Sequence, residues 1–221
     1  MALPDLSGPR HPPANGASPQ RLVILLHGVG ADGNDLIGLA PHWAKLLPDT
    51  EFISPDAPYR YDMAPEGRQW FSIRDFAPEK LQTGARETAP ILNQFIDAQL
   101  LRTGLSNDRL ALVGFSQGTM MALFVAFRRS QRLAGVIGYS GRAVDTEATA
   151  NEVKSRPPVL LIHGDSDDLI PPDAMLETTQ NLALSAISAQ WHICSNLGHG
   201  IDQAGLEIGG RFLRDCFTGM A

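Results

Sequence analysis

Short runs of apolar residues alternate with longer amphipathic stretches along most of the chain. The short runs are bounded by glycine, proline, aspartate or serine, as buried strands usually are. They predict strands at 22–26, 51–54, 109–113, 134–139, 158–162 and 190–194. The longer stretches repeat apolar residues at helical spacing and predict helices at 36–47, 87–101, 119–127, 173–184 and 202–217. Because strands and helices alternate, we predict a mostly parallel, doubly wound central sheet flanked by helices.

Three segments depart from this alternation. The first twenty residues contain five prolines, so residues 1–20 are predicted to form an extended arm rather than a helix. Pro41 falls inside 36–47 and predicts a helix that is interrupted or starts late. Residues 57–84, called the lip segment below, carry many large apolar side chains without a clear period, which is typical of a lip over a binding cleft or of simple core packing. The rest of the chain, 21–221, is predicted to be one domain without a separate lid domain.

Length, charge and cysteine content exclude several classes of protein. The 221 residues suffice for one α/β domain, and 18 basic against 24 acidic residues give a net charge of −6, which disfavours nucleic-acid binding. No apolar run approaches the ~20 residues that span a bilayer. Since the N-terminus also lacks the regions of a signal peptide, we predict a cytoplasmic protein without stable membrane insertion. Cys194 and Cys216 lie in apolar stretches and are predicted to be inert buried thiols.

The sharpest chemical signal is a G-x-S-x-G sequence at 114–118, between a predicted strand and a predicted apolar helix. A serine on a tight strand-to-helix turn needs small neighbours two residues away on either side, because the backbone doubles back there. Such a turn presents the serine hydroxyl at the carboxyl edge of the sheet. Ser116 is therefore the predicted nucleophile, with a merely structural turn as the alternative.

A serine nucleophile needs a base, and histidine has a suitable pKa near neutrality. Among the six histidines, His27 and His163 each precede a glycine at the end of a predicted strand, where core or turn-fixing roles are commoner. His199 lies in a glycine-flanked loop between the last predicted strand and the last predicted helix. From that loop an imidazole can reach over the sheet edge toward Ser116, so His199 is the predicted base.

The base needs an acid that orients it, and the developing oxyanion needs two N–H donors. Asp165, Asp167 and Asp168 all follow a predicted strand, and their spacing alone does not choose among them. The amide of Gln117, next to the nucleophile, is the first predicted donor. The small-residue turn at 27–30 is the predicted source of the second donor, with a plain glycine-rich turn as the alternative.

Several motifs occur in order along the chain: LHGVGADGND at 26–35, QWF at 69–71, GFSQG at 114–118, HGDSDDLIP at 163–171 and GHG at 198–200. Together they resemble the phospholipase/carboxylesterase family of α/β-hydrolases, which includes small bacterial carboxylesterases and acyl-protein thioesterases. The resemblance spans about residues 20 to 217. It implies an α/β-hydrolase fold and selects Asp167 as the acid of a triad with Ser116 and His199.

The resemblance also implies roles for residues around the triad. It makes the amide of Val29 the second oxyanion donor and places Trp70 in the wall of the acyl pocket. Many relatives have tyrosine or leucine where this chain has Val29, which changes the pocket wall but not a backbone donor. Met63 and Phe71, from the same lip segment as Trp70, are predicted to bind substrate with it. No metal or other cofactor is implied, and a homodimer is compatible with the resemblance.

The predicted function is that of a serine carboxylesterase, a carboxylic ester hydrolase of class EC 3.1.1. It would hydrolyse small short- to medium-chain esters through an acyl-enzyme on Ser116. The alternative within the same chemistry is an acyl-protein thioesterase or lysophospholipase acting on long acyl chains. A remote alternative from another class is a non-catalytic ligand receptor with this fold, but such proteins commonly lose a triad residue.

Overall fold

A computed structural model describes residues 3–144 and 152–220. Its strands, in chain order, are β1 Arg10–His11, β2 Arg21–Leu26, β3 Thr50–Ile53, β4 Tyr59–Arg60, β5 Arg68–Gln69, β6 Leu110–Phe115, β7 Gly135–Tyr139, β8 Val159–Gly164 and β9 Ala189–Cys194. Seven of them form one sheet in the order β1-β3-β2-β6-β7-β8-β9, and β4 and β5 pair as a separate hairpin. Only β1 runs antiparallel within the large sheet.

Helices cover both faces of this sheet. They are α1 Gly33–Ile37, α2 Ala40–Ala44, α3 Pro78–Thr103, α4 Gln117–Arg128, α5 Pro172–Leu184 and α6 Gln203–Thr218. One buried apolar cluster contains residues of α3, α4 and α5, and the other contains residues of α1, α2 and α6. The predicted doubly wound, mostly parallel sheet is confirmed. No helix in the described part of the chain is both long and apolar enough to cross a membrane.

Strand β2 shows why the buried strands read as continuous apolar runs. Leu22, Ile24 and Leu26 belong to one apolar cluster, whereas Val23 and Leu25 belong to the other. Successive side chains of a strand point to opposite faces, and helices bury both faces of this sheet. Both sets of positions must therefore be apolar, so an alternating pattern is absent.

Helix α3 begins at Pro78, well before the predicted start at 87. A proline suits the first turn of a helix because its missing N–H has no partner there in any case. Between Pro78 and position 87 the buried residues are Leu81 and Ala85. Two apolar positions among polar neighbours are too few to show a helical period. The predicted stop is correct, since Gly104 ends the helix in the left-handed conformation with φ of 70°. The interruption predicted from Pro41 is also found, since α1 ends at Ile37 and Pro41 lies in the first turn of a separate helix, α2.

Part of the proline-rich arm is a strand at the edge of the sheet. Arg10 donates to Glu51 Oε1 over 3.0 Å and to Gln99 Oε1 over 2.9 Å. Arg102 reaches the same two partners, with 2.7 Å to Glu51 Oε2 and 2.9 Å to Gln99 Oε1. The carboxylate of Glu51 thus joins the arm to α3 across β3.

Both cysteines are free thiols that pack inside the fold. Cys194 is buried at the end of β9, and Cys216 lies partly buried in α6. Burial raises the pKa of each thiol to about 12. At neutral pH both are therefore protonated and unreactive, because the thiolate is the nucleophilic form.

Candidate active site

Ser116 occupies a strained turn between the end of β6 and the start of α4. Its φ is 53° and its ψ is −115°, a region that costs a non-glycine residue conformational energy. Its amide donates to the Tyr139 carbonyl over 2.9 Å, and its carbonyl accepts from the Thr119 amide over 3.0 Å. Hydrogen bonds on both sides of the residue therefore hold the strained conformation.

The two glycines of this turn allow the backbone segments to approach closely. A Cβ added to Gly118 would lie 1.8 Å from the carbonyl oxygen of Leu26 in β2. A Cβ added to Gly114 would lie 2.4 Å from the carbonyl carbon of Gly118. No side chain fits at either position, which is the physical reason for the G-x-S-x-G pattern here.

Asp167 and His199 form a hydrogen-bonded pair beside this turn. His199 Nδ1 lies 2.8 Å from Asp167 Oδ2. Since a carboxylate oxygen can only accept, Nδ1 carries the proton, and Nε2 is left as the basic nitrogen. The other oxygen, Oδ1, accepts the amides of Leu169 and Ile170, each over 3.0 Å. One carboxylate thus holds its own loop and orients the imidazole.

Hydrogen bonding keeps the buried Asp167 ionised. Burial by itself would raise the pKa of this carboxyl. Hydrogen bonds from the Ile170 amide, His199 and the Leu169 amide outweigh the burial and hold the pKa below its usual range. Asp165 and Asp168 are both exposed. The structure therefore brings Asp167, and neither neighbouring aspartate, to His199.

The loop that carries His199 lies against the strand that leads to Ser116. The ring of Phe115, the residue before Ser116, is 4.9 Å from the His199 ring between centroids. Ser140, just after β7, donates its hydroxyl to the carbonyl of Gly200 over 3.1 Å. The carboxyl ends of β6, β7 and β8 and the His199 loop therefore meet at one edge of the sheet.

The turn after β2 adjoins Ser116 from the other side. A Cβ added to Gly28 would lie 3.3 Å from the Ser116 Cβ. The amide of Gly30 donates to the Arg68 carbonyl over 2.8 Å, whereas no hydrogen bond among the described residues uses the amide of Val29. The Gln117 amide lies in the first turn of α4, where helix amides have no partner within the helix. Both predicted oxyanion donors are therefore available.

His27 fixes the shape of this turn. Its Nδ1–H donates to the Gly28 carbonyl over 2.7 Å, and its Nε2 accepts the Ala57 amide over 3.0 Å. Burial lowers the pKa of His27, so the ring is neutral and can accept at Nε2. Sequence reasoning gave His27 only a core or turn-fixing role. Its hydrogen bond with Ala57 in the lip segment could not be predicted from the sequence.

The side chain of Gln117 performs a second task that sequence reasoning missed. Its Oε1 accepts the Trp70 amide over 2.9 Å, and its Nε2 donates to the Phe71 carbonyl over 2.7 Å. The Trp70 indole in turn donates to the His27 carbonyl over 3.0 Å. The lip segment, the oxyanion turn and the nucleophile turn are thereby bound to one another. The QWF motif and the apolar residues of the lip segment pointed to this region, but not to its hydrogen bonds with Gln117.

The three predicted substrate-binding residues lie in different surroundings. Trp70 is fully buried, Phe71 is 3% exposed, and Met63 is 73% exposed on the loop of the β4–β5 hairpin. Phe71 also lines a cavity of about 440 Å³ between this hairpin and α3, whose described lining does not include Ser116 or His199. The substrate roles of these three residues stay predictions.

A sequence model of the phospholipase/carboxylesterase family matches residues 14–217. The chain belongs to this family of α/β-hydrolases. It is therefore a hydrolase, and the predicted fold class and family are confirmed. Among the described residues, no group of three or more histidine, cysteine, aspartate or glutamate side chains could hold a metal ion.

The names of individual relatives include both esterase and acyl-protein thioesterase. Acyl-protein thioesterase 1 of Schizosaccharomyces pombe is 32% identical over 157 residues, covering 67% of this chain and 69% of that protein. Esterase YpfH of Escherichia coli (strain K12) is 28% identical over 190 residues, covering 86% and 80%. The crystal structure of esterase PE8 superposes with a TM-score of 0.92 at 40% identity, covering 96% of this chain and 99% of that one.

Proposed function

We propose that this hydrolase is a serine carboxylesterase that acts on small short- to medium-chain carboxylic esters. The observation that carries the proposal is the 2.8 Å hydrogen bond between His199 and Asp167 beside the strained turn of Ser116. The relative with the highest identity given above, PE8, is named an esterase.

Catalysis would proceed through an acyl-enzyme. Ser116 Oγ attacks the carbonyl carbon of the ester while His199 Nε2 takes its proton. The amides of Val29 and Gln117 donate to the oxyanion, and each such donor is worth on the order of 3 kcal/mol of barrier. The bond to the alcohol oxygen then breaks, and the alcohol leaves with the proton from His199. Water attacks the acyl-enzyme by the same steps, releasing the acid and restoring Ser116.

Asp167 supports both halves of this cycle. Its carboxylate lies against the nitrogen of His199 that stays protonated throughout, so it stabilises the imidazolium that forms transiently. The lowered pKa of Asp167 keeps this negative charge in place over the pH range in which His199 can act as a base.

A long-chain acyl-protein thioesterase or lysophospholipase is the second candidate. The thioesterase relative in Schizosaccharomyces pombe supports it. Exposed apolar side chains on the loops around the site, Met63 and Leu169, could also contact a long acyl chain. A non-catalytic receptor is the least supported, because Ser116, Asp167 and His199 are all retained.

The test is turnover of p-nitrophenyl acetate, butyrate, octanoate and palmitate by the wild type and Ser116→Ala. Ser166→Ala is the matched control, since Ser166 is an exposed serine on residues 165–171, the loop after β8 that carries Asp167 and is called the acid loop below. We expect highest kcat/KM on the short esters, loss in Ser116→Ala and retention in Ser166→Ala. A maximum on palmitate would favour the long-chain candidate. Full turnover in Ser116→Ala would contradict the serine mechanism.

The remaining expectations from the sequence concern binding partners, cellular location and oligomeric state. A small-molecule ester is the proposed partner, with no nucleic acid and no stable membrane insertion. The cytoplasmic location and the homodimer stay predictions.

A further inference from the structure

A second histidine reaches the catalytic acid from inside the protein. His163, in β8, has a fully buried side chain, and its Nε2 lies 3.1 Å from Asp167 Oδ2. The same nitrogen lies 2.7 Å from the carbonyl oxygen of Ile170. A carbonyl oxygen only accepts, so Nε2 carries a hydrogen and donates it to Ile170, while Asp167 Oδ2 lies close beside the same N–H group. The other ring nitrogen, Nδ1, is buried and has no hydrogen-bond partner among residues 3–144 and 152–220.

Both imidazoles therefore converge on one carboxylate oxygen. Oδ2 of Asp167 accepts from His199 Nδ1 over 2.8 Å on the side of the site and faces His163 Nε2 over 3.1 Å on the side of the core. The Oδ1 atom is already occupied by two backbone amides. Among the described hydrogen bonds and ion pairs, His163 is thus the one side chain besides His199 with a nitrogen close to this carboxylate.

We propose that His163 is a positioning residue of this active site. Its Nε2–H group, held by the Ile170 carbonyl, stabilises the negative charge of Oδ2 from 3.1 Å away, which sets how tightly His199 holds its proton. The proposal rests on the proposed serine-esterase function. Since His163 is fully buried, it touches no substrate and acts only through Asp167.

The expected consequence has a definite sign. The polar N–H group of His163 beside Oδ2 competes with His199 for the charge of the carboxylate. Without that donor, Asp167 would attract the His199 proton more strongly, so His199 would remain protonated to higher pH. The acid limb of the pH–rate profile would then move upward in pH, and kcat would fall because Asp167 is less well oriented. KM would change little.

Other titratable groups lie on the elements next to the pair and could also affect a pH profile. They are on the acid loop, on α5, at the end of β9 and just before α6: Asp165, Asp168, Asp173, Glu177, Cys194 and Asp202. None of them forms a hydrogen bond or ion pair with His163 or Asp167 in the described part of the structure. A shift of the acid limb on substitution of His163 is therefore assigned to the contact with Oδ2.

Two substitutions separate positioning from packing. His163→Leu keeps a side chain of similar bulk but removes the donor. His163→Gln keeps an N–H donor at about the reach of Nε2. We expect His163→Leu to lower kcat roughly tenfold, because the carboxylate loses a neighbouring N–H group, and to raise the acid limb by about half a pH unit. His163→Gln should restore the position of the limb and most of kcat.

The control is His192→Gln, a partly buried histidine on the neighbouring strand β9. Rates are divided by the fraction of Ser116 that a fluorophosphonate labels, which corrects for unfolded protein. If His163→Leu does not fold, His163→Asn replaces it, because its shorter amide cannot reach Oδ2.

Two results would overturn the proposal. One is an acid limb that stays at the wild-type pH when the donor is removed, and the other is a His163→Gln variant as impaired as His163→Leu. Failure of the proposed function is distinguishable, because it would appear as turnover that survives in Ser116→Ala whatever residue occupies position 163.

Discussion

At the scale of single residues, the two oxygens of Asp167 have separate partners. Oδ1 accepts hydrogen bonds from two backbone amides, and Oδ2 accepts a hydrogen bond from His199 Nδ1. Three aspartates within four positions could not be separated by spacing, since each could in principle reach the sheet edge. Burial separates them, because only Asp167 turns inward. Sequence reasoning selected it through the family resemblance, not from the residues alone.

Asp167→Asn should therefore abolish most activity without unfolding the protein. An amide still accepts at its oxygen, but its NH₂ can face His199 and force the wrong tautomer, which costs roughly three to four orders of magnitude in kcat for such triads. Asp168→Asn, at an exposed neighbour, should change kcat by less than about threefold. Steady-state turnover of p-nitrophenyl butyrate measures both. A severe effect of Asp168→Asn alone would place the acid one residue later.

At the scale of elements, how well the sequence predicts a strand depends on how many of that strand's faces are buried. Strands β2, β3, β6, β7 and β8 are buried on both sides, and their apolar runs located them to within about two residues. The edge strand β9 is partly exposed but was located equally closely. The hairpin β4–β5 has two residues in each strand, too few for any period. The hydrogen bonds that join the region of this hairpin to the site are made by His27 and Gln117 with residues distant in the sequence. Only the folded chain brings those residues together.

The turn between β2 and α1 depends on a neutral histidine, which makes its stability sensitive to pH. Burial lowers the pKa of His27 below its ordinary value of about 6.5. As the pH falls below about 6.5, the unfolded chain therefore binds a proton at this position that the folded chain does not bind. Folding stability is lost in that range, by at most about 1.4 kcal/mol for each pH unit.

His27→Gln should remove this contribution, since a glutamine oxygen can accept the Ala57 amide without titrating. We expect the unfolding free energy of the wild type to fall more steeply than that of the variant between about pH 6.5 and pH 5.5. Urea unfolding at both pH values measures the difference. His42→Gln, at an exposed histidine, is the control and should follow the wild type. Parallel curves for the wild type and His27→Gln would refute the assignment.

At the scale of the whole molecule, the strand order explains where the site forms. From β2 the chain first adds β3 on one side, and β6 then pairs on the other side of β2. Ligands of open parallel sheets bind outside the carboxyl ends of the strands at such a reversal. The turn with Val29 follows β2, and Ser116 follows β6, so the two predicted oxyanion donors flank this point. The topology alone therefore places a cleft between them.

The same architecture predicts how the enzyme responds to insoluble substrate. Residues 54–77, between β3 and α3, carry only the β4–β5 hairpin, and Met63 on its loop is exposed. Because residues 3–144 and 152–220 include no separate lid domain, we expect no closed state that a lipid–water interface would open and no activation by population shift. We expect the rate on tributyrin to rise hyperbolically and to level off below the solubility limit. A pH-stat titration through that limit measures it, with p-nitrophenyl butyrate as the soluble reference. A sharp rise at the onset of emulsion would show that a closed state exists and that the lip segment moves.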